Sequence, residues 1–327
     1  MSLDCAQGIR VVSPASVRRA APRVVASAVG ALLLMAGAGV ASACSICRCG
    51  DPTFNALGRT GYSTPGFRSA LDWERFDKDE GNPEEDFESQ VENRVTGLLS
   101  YGLSDRAMFT LRVPYSHREL TETEDGDEES VVTDGFSDPE LSAQVRLWST
   151  SGATMANGTS VSLYGGVKMP FGENALMEDG ERIDEHAQPG TGSTDFHGAL
   201  NLLHLFGTQS SMFASAGYRA NGTNDFDYHY GDAWLANLAY EHKLGDRLDG
   251  VLEFNYRHAQ ADEIDPDGTE EENTGGSLLY VTPKLAANLG RNFVLRTAAQ
   301  IPTVKDLNGE QTERVVANVG MTYFLSH

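Results

Sequence analysis

The sequence predicts an all-β fold: a transmembrane antiparallel β-barrel of about twelve strands, with short periplasmic turns and long acidic extracellular loops. Three observations predict it. Apolar and polar residues alternate with period two through successive segments, the mark of strands with two different faces. The connections between segments alternate between short turns and longer, mostly acidic loops. An export signal precedes them all.

That signal comes first in the chain. Arg10, Arg18, Arg19 and Arg23 lead into an uncharged apolar run over residues 24–40, and Ala41-Ser42-Ala43 follows. Basic, apolar, then small-x-small residues read as a secretory signal peptide over residues 1–43, cleaved before Cys44. The run is short for a spanning helix, which needs roughly 17–25 residues. Residues 44–65 form a Cys-containing periplasmic or plug segment, and residues 66–327 the barrel.

Strands are expected near 66–77, 92–103, 106–117, 138–149, 159–170, 194–206, 211–220, 230–244, 248–258, 277–288, 292–302 and 312–324. Val95, Gly97, Leu99 and Tyr101 share one face, with Arg94, Thr96 and Ser100 on the other. Phe109, Leu111, Val113 and Tyr115 repeat the pattern against Thr110 and Arg112 after Ser104-Asp105, as a hairpin would. Long loops fall at about 78–91, 118–137, 171–193, 221–229, 259–276 and 303–311. A soluble sandwich also gives alternating strands, but it does not explain the alternation of turn and loop. Nor does it explain Trp73, Trp148, Trp234, Tyr101, Tyr115, Tyr218, Tyr256 and Tyr323 near strand ends, where a barrel places its interfacial girdles. The near-terminal Tyr323-Phe324 suits recognition by the barrel assembly machinery. Bacterial outer-membrane lipid and lipopolysaccharide are the expected surroundings.

Four stretches resemble a known family. They are Tyr101-Gly102-Leu103-Ser104-Asp105-Arg106 running on to Val113-Pro114-Tyr115, Asp134-Gly135-Phe136-Ser137-Asp138-Pro139, Gly166-Val167-Lys168-Met169-Pro170-Phe171-Gly172 and Gly190-Thr191-Gly192-Ser193-Thr194-Asp195. In order and spacing, from about residue 65 to the C-terminus, the chain resembles the porin-like outer-membrane transporter family known as MetA-pathway of phenol degradation. The resemblance implies a monomeric barrel that passes small, hydrophobic or aromatic, molecules. Read physically, the same stretches are turn chemistry, and no catalytic role attaches to them.

A charge facing hydrocarbon costs several kcal/mol, so the charged faces of the strands are expected to point inward. The pore-lining candidates are Arg94, Arg112, Arg146, Lys168, Arg219, Arg257, Lys284 and Arg296, accompanied by Glu140, Asp195, Glu241 and Glu253. They can be a paired, structural interior or an element selecting anionic or polar-aromatic solutes. The formal charge is −22, and loss of four Arg and one Asp with residues 1–43 takes it to −25. Such acidity argues against nucleic-acid binding. Four loop regions hold 28 of the 47 acidic residues. They read as flexible, self-repelling outer loops, or as sites where divalent cations gather or bridge to lipopolysaccharide.

Cys44, Cys47 and Cys49 open the mature chain as Cys-x-x-Cys-x-Cys. Four readings stand: lipidation of Cys44, a disulfide among the three, a soft-metal or redox site, or a plug with incidental thiols. The histidines are scattered without HxH or HxxxH spacing. Ser193, Asp195 and His197 could form a hydrolase trio at the rim, though the segment already reads as a loop-to-strand turn. The expected function is a porin-like channel for small solutes by facilitated diffusion, not an enzyme. The alternative is a metal- or redox-linked outer-membrane protein working through Cys44, Cys47 and Cys49, with the barrel as anchor or conduit. No cofactor is firmly implied beyond such a metal and divalent cations at the acidic loops.

Overall fold

The computed structural model describes residues 65–81, 86–124, 127–150, 157–264, 268–271 and 273–325. The expected signal peptide, the three N-terminal cysteines and nearly all of residues 44–65 lie outside the described residues.

Twelve strands follow one another: β1 (Gly66–Gly81), β2 (Asp86–Gly102), β3 (Ala107–Glu124), β4 in two stretches (Asp127–Phe136 and Glu140–Ser149), β5 (Asn157–Lys168) and β6 (Asp195–Phe206). They continue with β7 (Ser210–Ala220), β8 (Ala233–Lys243), β9 (Leu248–Ala259), β10 (Gly276–Asn288), β11 (Phe293–Leu307) and β12, again in two stretches (Gln311–Glu313 and Val316–Leu325). Each pairs antiparallel with its neighbours in sequence, and β12 pairs back onto β1 through Phe67↔Leu325 to Arg75↔Ala317. The spanning part of the sheet is therefore closed. All twelve expected strands are present.

Alternation decides the facing. Leu71, Val95, Leu99, Leu141, Leu163, Leu200, Leu238 and Val319 are exposed on the outside, while Asp72, Thr96, Arg112, Ser142 and Asn255 are buried on the inside. Water would not leave such an outer belt bare, whereas lipid covers it. Aromatic residues bound the belt at both ends. Phe67 and Tyr101 meet at 6.2 Å and Phe293 and Tyr323 at 4.7 Å at the short-turn end. Tyr115 and Phe136 meet at 5.3 Å and Tyr218 and Trp234 at 4.7 Å at the long-loop end. The belt supplies a direct test. Leu200→Arg, mid-strand on the lipid face, is expected to cost about 2–4 kcal/mol, read as an earlier urea midpoint in phospholipid vesicles. Asn201→Ser, one residue on and facing inward, should barely move it.

Most of the described residues in two expected loops prove to be strand. Residues 78–81, 86–91, 118–124 and 127–136 extend the β1–β2 and β3–β4 hairpins well beyond the outer aromatic band. Charge on both faces hides the alternation there. Glu80, Glu88, Glu122 and Glu129 even stand in register across four strands, a like-charge row that side-chain pairing alone would disfavour. Most of 303–311 is strand as well, since β11 runs to Leu307.

Candidate functional site

The connection from β5 to β6, residues 169–194, does not spread outward as an acidic loop. It folds into the barrel mouth. Its tip is a short 3-10 turn, Glu185–Ala187, all three residues buried. Gln90 on β2 donates to the His186 carbonyl at 2.6 Å, and Arg118 on β3 donates to the same carbonyl at 2.7 Å and to that of Gln188. Thr133 on β4 donates to the Ala187 carbonyl at 2.6 Å. From the opposite side, Asn224 donates to the Glu185 carboxylate at 2.5 Å and to the Thr191 carbonyl at 2.9 Å. The loop thus reaches from β2–β4 across to the connection between β7 and β8. A buried backbone needs such partners, and here side chains of the wall supply them.

One carboxylate ties down both ends of the loop. Asp138 sits in the Ser137–Pro139 break of β4. Its Oδ1 accepts from the Gly172 N–H at 2.9 Å; its Oδ2 accepts from the Thr191 N–H at 2.8 Å and the Thr191 hydroxyl at 2.7 Å. Close approach explains the glycines here. A Cβ on Gly172 would lie 2.7 Å from the Asp138 nitrogen, and one on Gly190 would lie 2.8 Å from the Gly172 Cα. Three of the four sequence stretches that carry the family resemblance therefore converge on one point.

Charge reinforces it. Lys168 Nζ lies 2.6 Å from Asp195 and 3.4 Å from Asp138, and it donates to Thr191 and Ser193. Arg219 reaches Asp195 at 3.1 Å. Arg112, Glu140, Lys168 and Asp195 stand in register across β3 to β6 with alternating sign.

The other wall residues pair likewise. Arg94 meets Glu92 at 2.8 Å, Arg112 meets Glu140 at 3.4 Å, Lys284 meets Glu253 at 2.7 Å and Arg296 meets Asp72 at 2.8 Å. Arg146 meets Asp105 at 2.5 Å near the short-turn end. Glu241 accepts from Ser211 at 3.1 Å, and Arg257 is buried on the inner face of β9. At least seven of the eight basic candidates thus stand in ion pairs. The inner wall is a set of neutralised pairs rather than a basic stripe. It also carries apolar patches. Leu203, Phe213, Ala239 and Val251 cluster toward the short-turn end, and Ala233, Ala259, Leu278 and Tyr280 toward the mouth.

Ser193, Asp195 and His197 do not make a relay. Ser193 donates straight to Asp195 at 2.8 Å, while the His197 ring stacks on Tyr164 and its Nε2 has no hydrogen-bond partner among the described residues. Above the outer aromatic band, burial pushes the Glu88 carboxyl up to about 7, outweighing the pull of His186. Burial opposes charge on His186 too, but Asp184 and Asp262 overcome it and hold the imidazole well above its ordinary value.

A family model described as putative MetA-pathway of phenol degradation matches residues 118–303. The match takes in the second, third and fourth resembling stretches and begins just after the first. No curated protein matches the chain. Among solved structures, the COG4313 outer membrane channel from Pseudomonas putida F1 aligns with TM-score 0.60 and 11% identity over 80% of this chain and 96% of that one. At that identity the likeness speaks for the fold. The translocator domain of autotransporter NalP from Neisseria meningitidis aligns with TM-score 0.42 and 10% identity over 79% and 88%. The Ralstonia pickettii toluene transporter TbuX aligns with TM-score 0.41 and 10% identity over 80% and 90%.

Proposed function

The chain belongs to the family described as putative MetA-pathway of phenol degradation, and from that premise we propose an outer-membrane channel that passes small aromatic or hydrophobic solutes by facilitated diffusion. The observation that carries the reading is the inner wall: opposed charges neutralised in pairs, with apolar clusters below and above them. Such a wall offers water and a ring system comparable welcome and holds no strong single-sign field. The loop anchored at Asp138 is the constriction. The solute passes beside or beneath its tip, and the loop's position sets the width of the path.

Charge selection then falls to the mouth, where exposed Glu128, Glu129 and Glu270 have the same sign. Planar-bilayer measurements across a KCl gradient test this. The expected result is measurable conductance with a weak cation preference that fades as salt rises, since exposed charges are screened within about 10 Å at 0.1 M. A strong anion preference would return the selecting role to the basic wall. Complete absence of conductance, together with no uptake of an aromatic solute into proteoliposomes, would remove the channel reading.

A further inference from the structure

Three connections at the barrel mouth bring together groups that stand far apart in sequence. His186 comes from the tip of the inward loop. Tyr228 belongs to a small ribbon in which Tyr228–His229 pairs with Glu263–Ile264, which in turn pairs with Thr269–Glu270. Asp262 and Glu271 flank the last two strands of that ribbon. Ligand atoms of His186, Asp262 and Glu271 all lie within 4.8 Å of one another.

The Tyr228 hydroxyl sits among them. It is 2.9 Å from Asp262 Oδ2, 3.2 Å from His186 Nε2 and in hydrogen-bond contact with Glu271. One phenol carries one proton, and it cannot donate to both carboxylates at once. Two carboxylates and an imidazole nitrogen thus converge on one point, where either a proton on His186 or a bound cation would offset the carboxylate charge.

Two of the ligands are held from behind, and the backbone around the third is tied down. Asp184 Oδ1 stands 3.3 Å from His186 Nδ1, which fixes the ring and turns Nε2 toward the cluster. The Gly231 N–H donates to Asp262 Oδ1 at 2.7 Å, leaving Oδ2 for the cluster. Thr274 accepts from the Asp262 N–H and donates to the Glu271 carbonyl, each at 2.8 Å. Oriented ligands with outer partners are what a metal centre requires.

We infer that His186, Asp262 and Glu271 bind one divalent first-row transition ion, which fastens the inward loop to the ribbon at the mouth. One imidazole nitrogen with two carboxylates suits Mn²⁺ or Zn²⁺ better than Mg²⁺ or Ca²⁺, whose ligands are oxygens. Water completes the shell. The site is independent of the N-terminal cysteines and of which solute the barrel passes.

The test uses the full mature chain in detergent, stripped with chelator and titrated with Mn²⁺, which thiolates hold poorly, and then with Zn²⁺. Folding of every variant is checked by heat-modifiable migration in electrophoresis. Wild type and a Cys44→Ser/Cys47→Ser/Cys49→Ser variant should each bind one Mn²⁺ per chain. His186→Gln and Asp262→Asn should abolish saturable binding. Asp184→Asn should weaken it by roughly 10–100-fold, the usual consequence of losing an outer-shell partner. Tyr228→Phe, which keeps all three ligands, should retain binding. Amide exchange over residues 171–193 should slow when Mn²⁺ is added to wild type and stay unchanged in His186→Gln. If folded wild type binds neither ion saturably, or His186→Gln binds as wild type does, the inference fails and the cluster is an imidazolium among carboxylates.

Discussion

Replacing Asp138 with alanine is expected to raise single-channel conductance several-fold and to expose residues 171–193 to protease in intact proteoliposomes. The reason is geometric. Gly172 begins the inward excursion and Thr191 ends it, and the two oxygens of one carboxylate hold both. Hydrogen bonds to a charged group contribute about 1.5–3 kcal/mol each, so losing this set removes most of what pins the base of the loop. The tip keeps its bonds from Gln90, Arg118 and Thr133, so the loop should loosen at its root while the barrel stays folded. Lys168 retains Asp195 as a partner at 2.6 Å, which limits the damage to the wall. Asp138→Asn should fall between wild type and alanine, because one amide oxygen still accepts but the amide nitrogen does not. Conductance unchanged in a folded Asp138→Ala protein would show that the loop does not govern the path.

The barrel itself was legible because lipid imposes a strict rule. Each spanning strand must turn one face to hydrocarbon, and Leu99, Leu163 and Leu200 announce that face whatever stands opposite. Beyond the membrane the rule lapses. The strand extensions over 78–81, 86–91, 118–124 and 127–136 carry charge on both faces, so their ladders leave no period-two trace and read as loops. The inward connection was hidden for a related reason. Its acidic count suggested a solvated run, yet Glu185 is met by Arg182 and Asn224, and the backbone around His186 is met by Gln90 and Arg118. None of these partners is near in sequence except Arg182. The motif stretches around Asp138, Lys168 and Thr191 stand out in the sequence, but each reads locally as a turn. Their convergence depends on register across β4, β5 and β6. His186 seemed one scattered histidine among eight for the same reason: Asp262 and Glu271 reach it only after the strands between them have paired.

The closing seam carries the second large effect. Arg296 on β11 and Asp72 on β1 each stand opposite Gly320 on the strand between them. The arginine reaches across the bare glycine to Asp72 at 2.8 Å, and Asp72 is 1% exposed. A Cβ at position 320 would fall 1.8 Å from Asp72 Oδ1 and 3.1 Å from the Arg296 guanidinium. The pair therefore clasps the first strand to the eleventh over the last, and only glycine leaves it room. Arg296→Met strands a buried carboxylate in the spanning region, a change that costs about 3–5 kcal/mol. It should lower the urea midpoint in vesicles and slow the appearance of heat-modifiable barrel during refolding. Arg296→Met/Asp72→Asn removes both charges and should recover most of the loss, because a buried pair adds little over uncharged residues of similar size. Gly320→Val should resemble the single variant, since the branched side chain drives the partners apart without removing either. Should the double variant prove no more stable than Arg296→Met, packing rather than the orphaned charge would account for the seam.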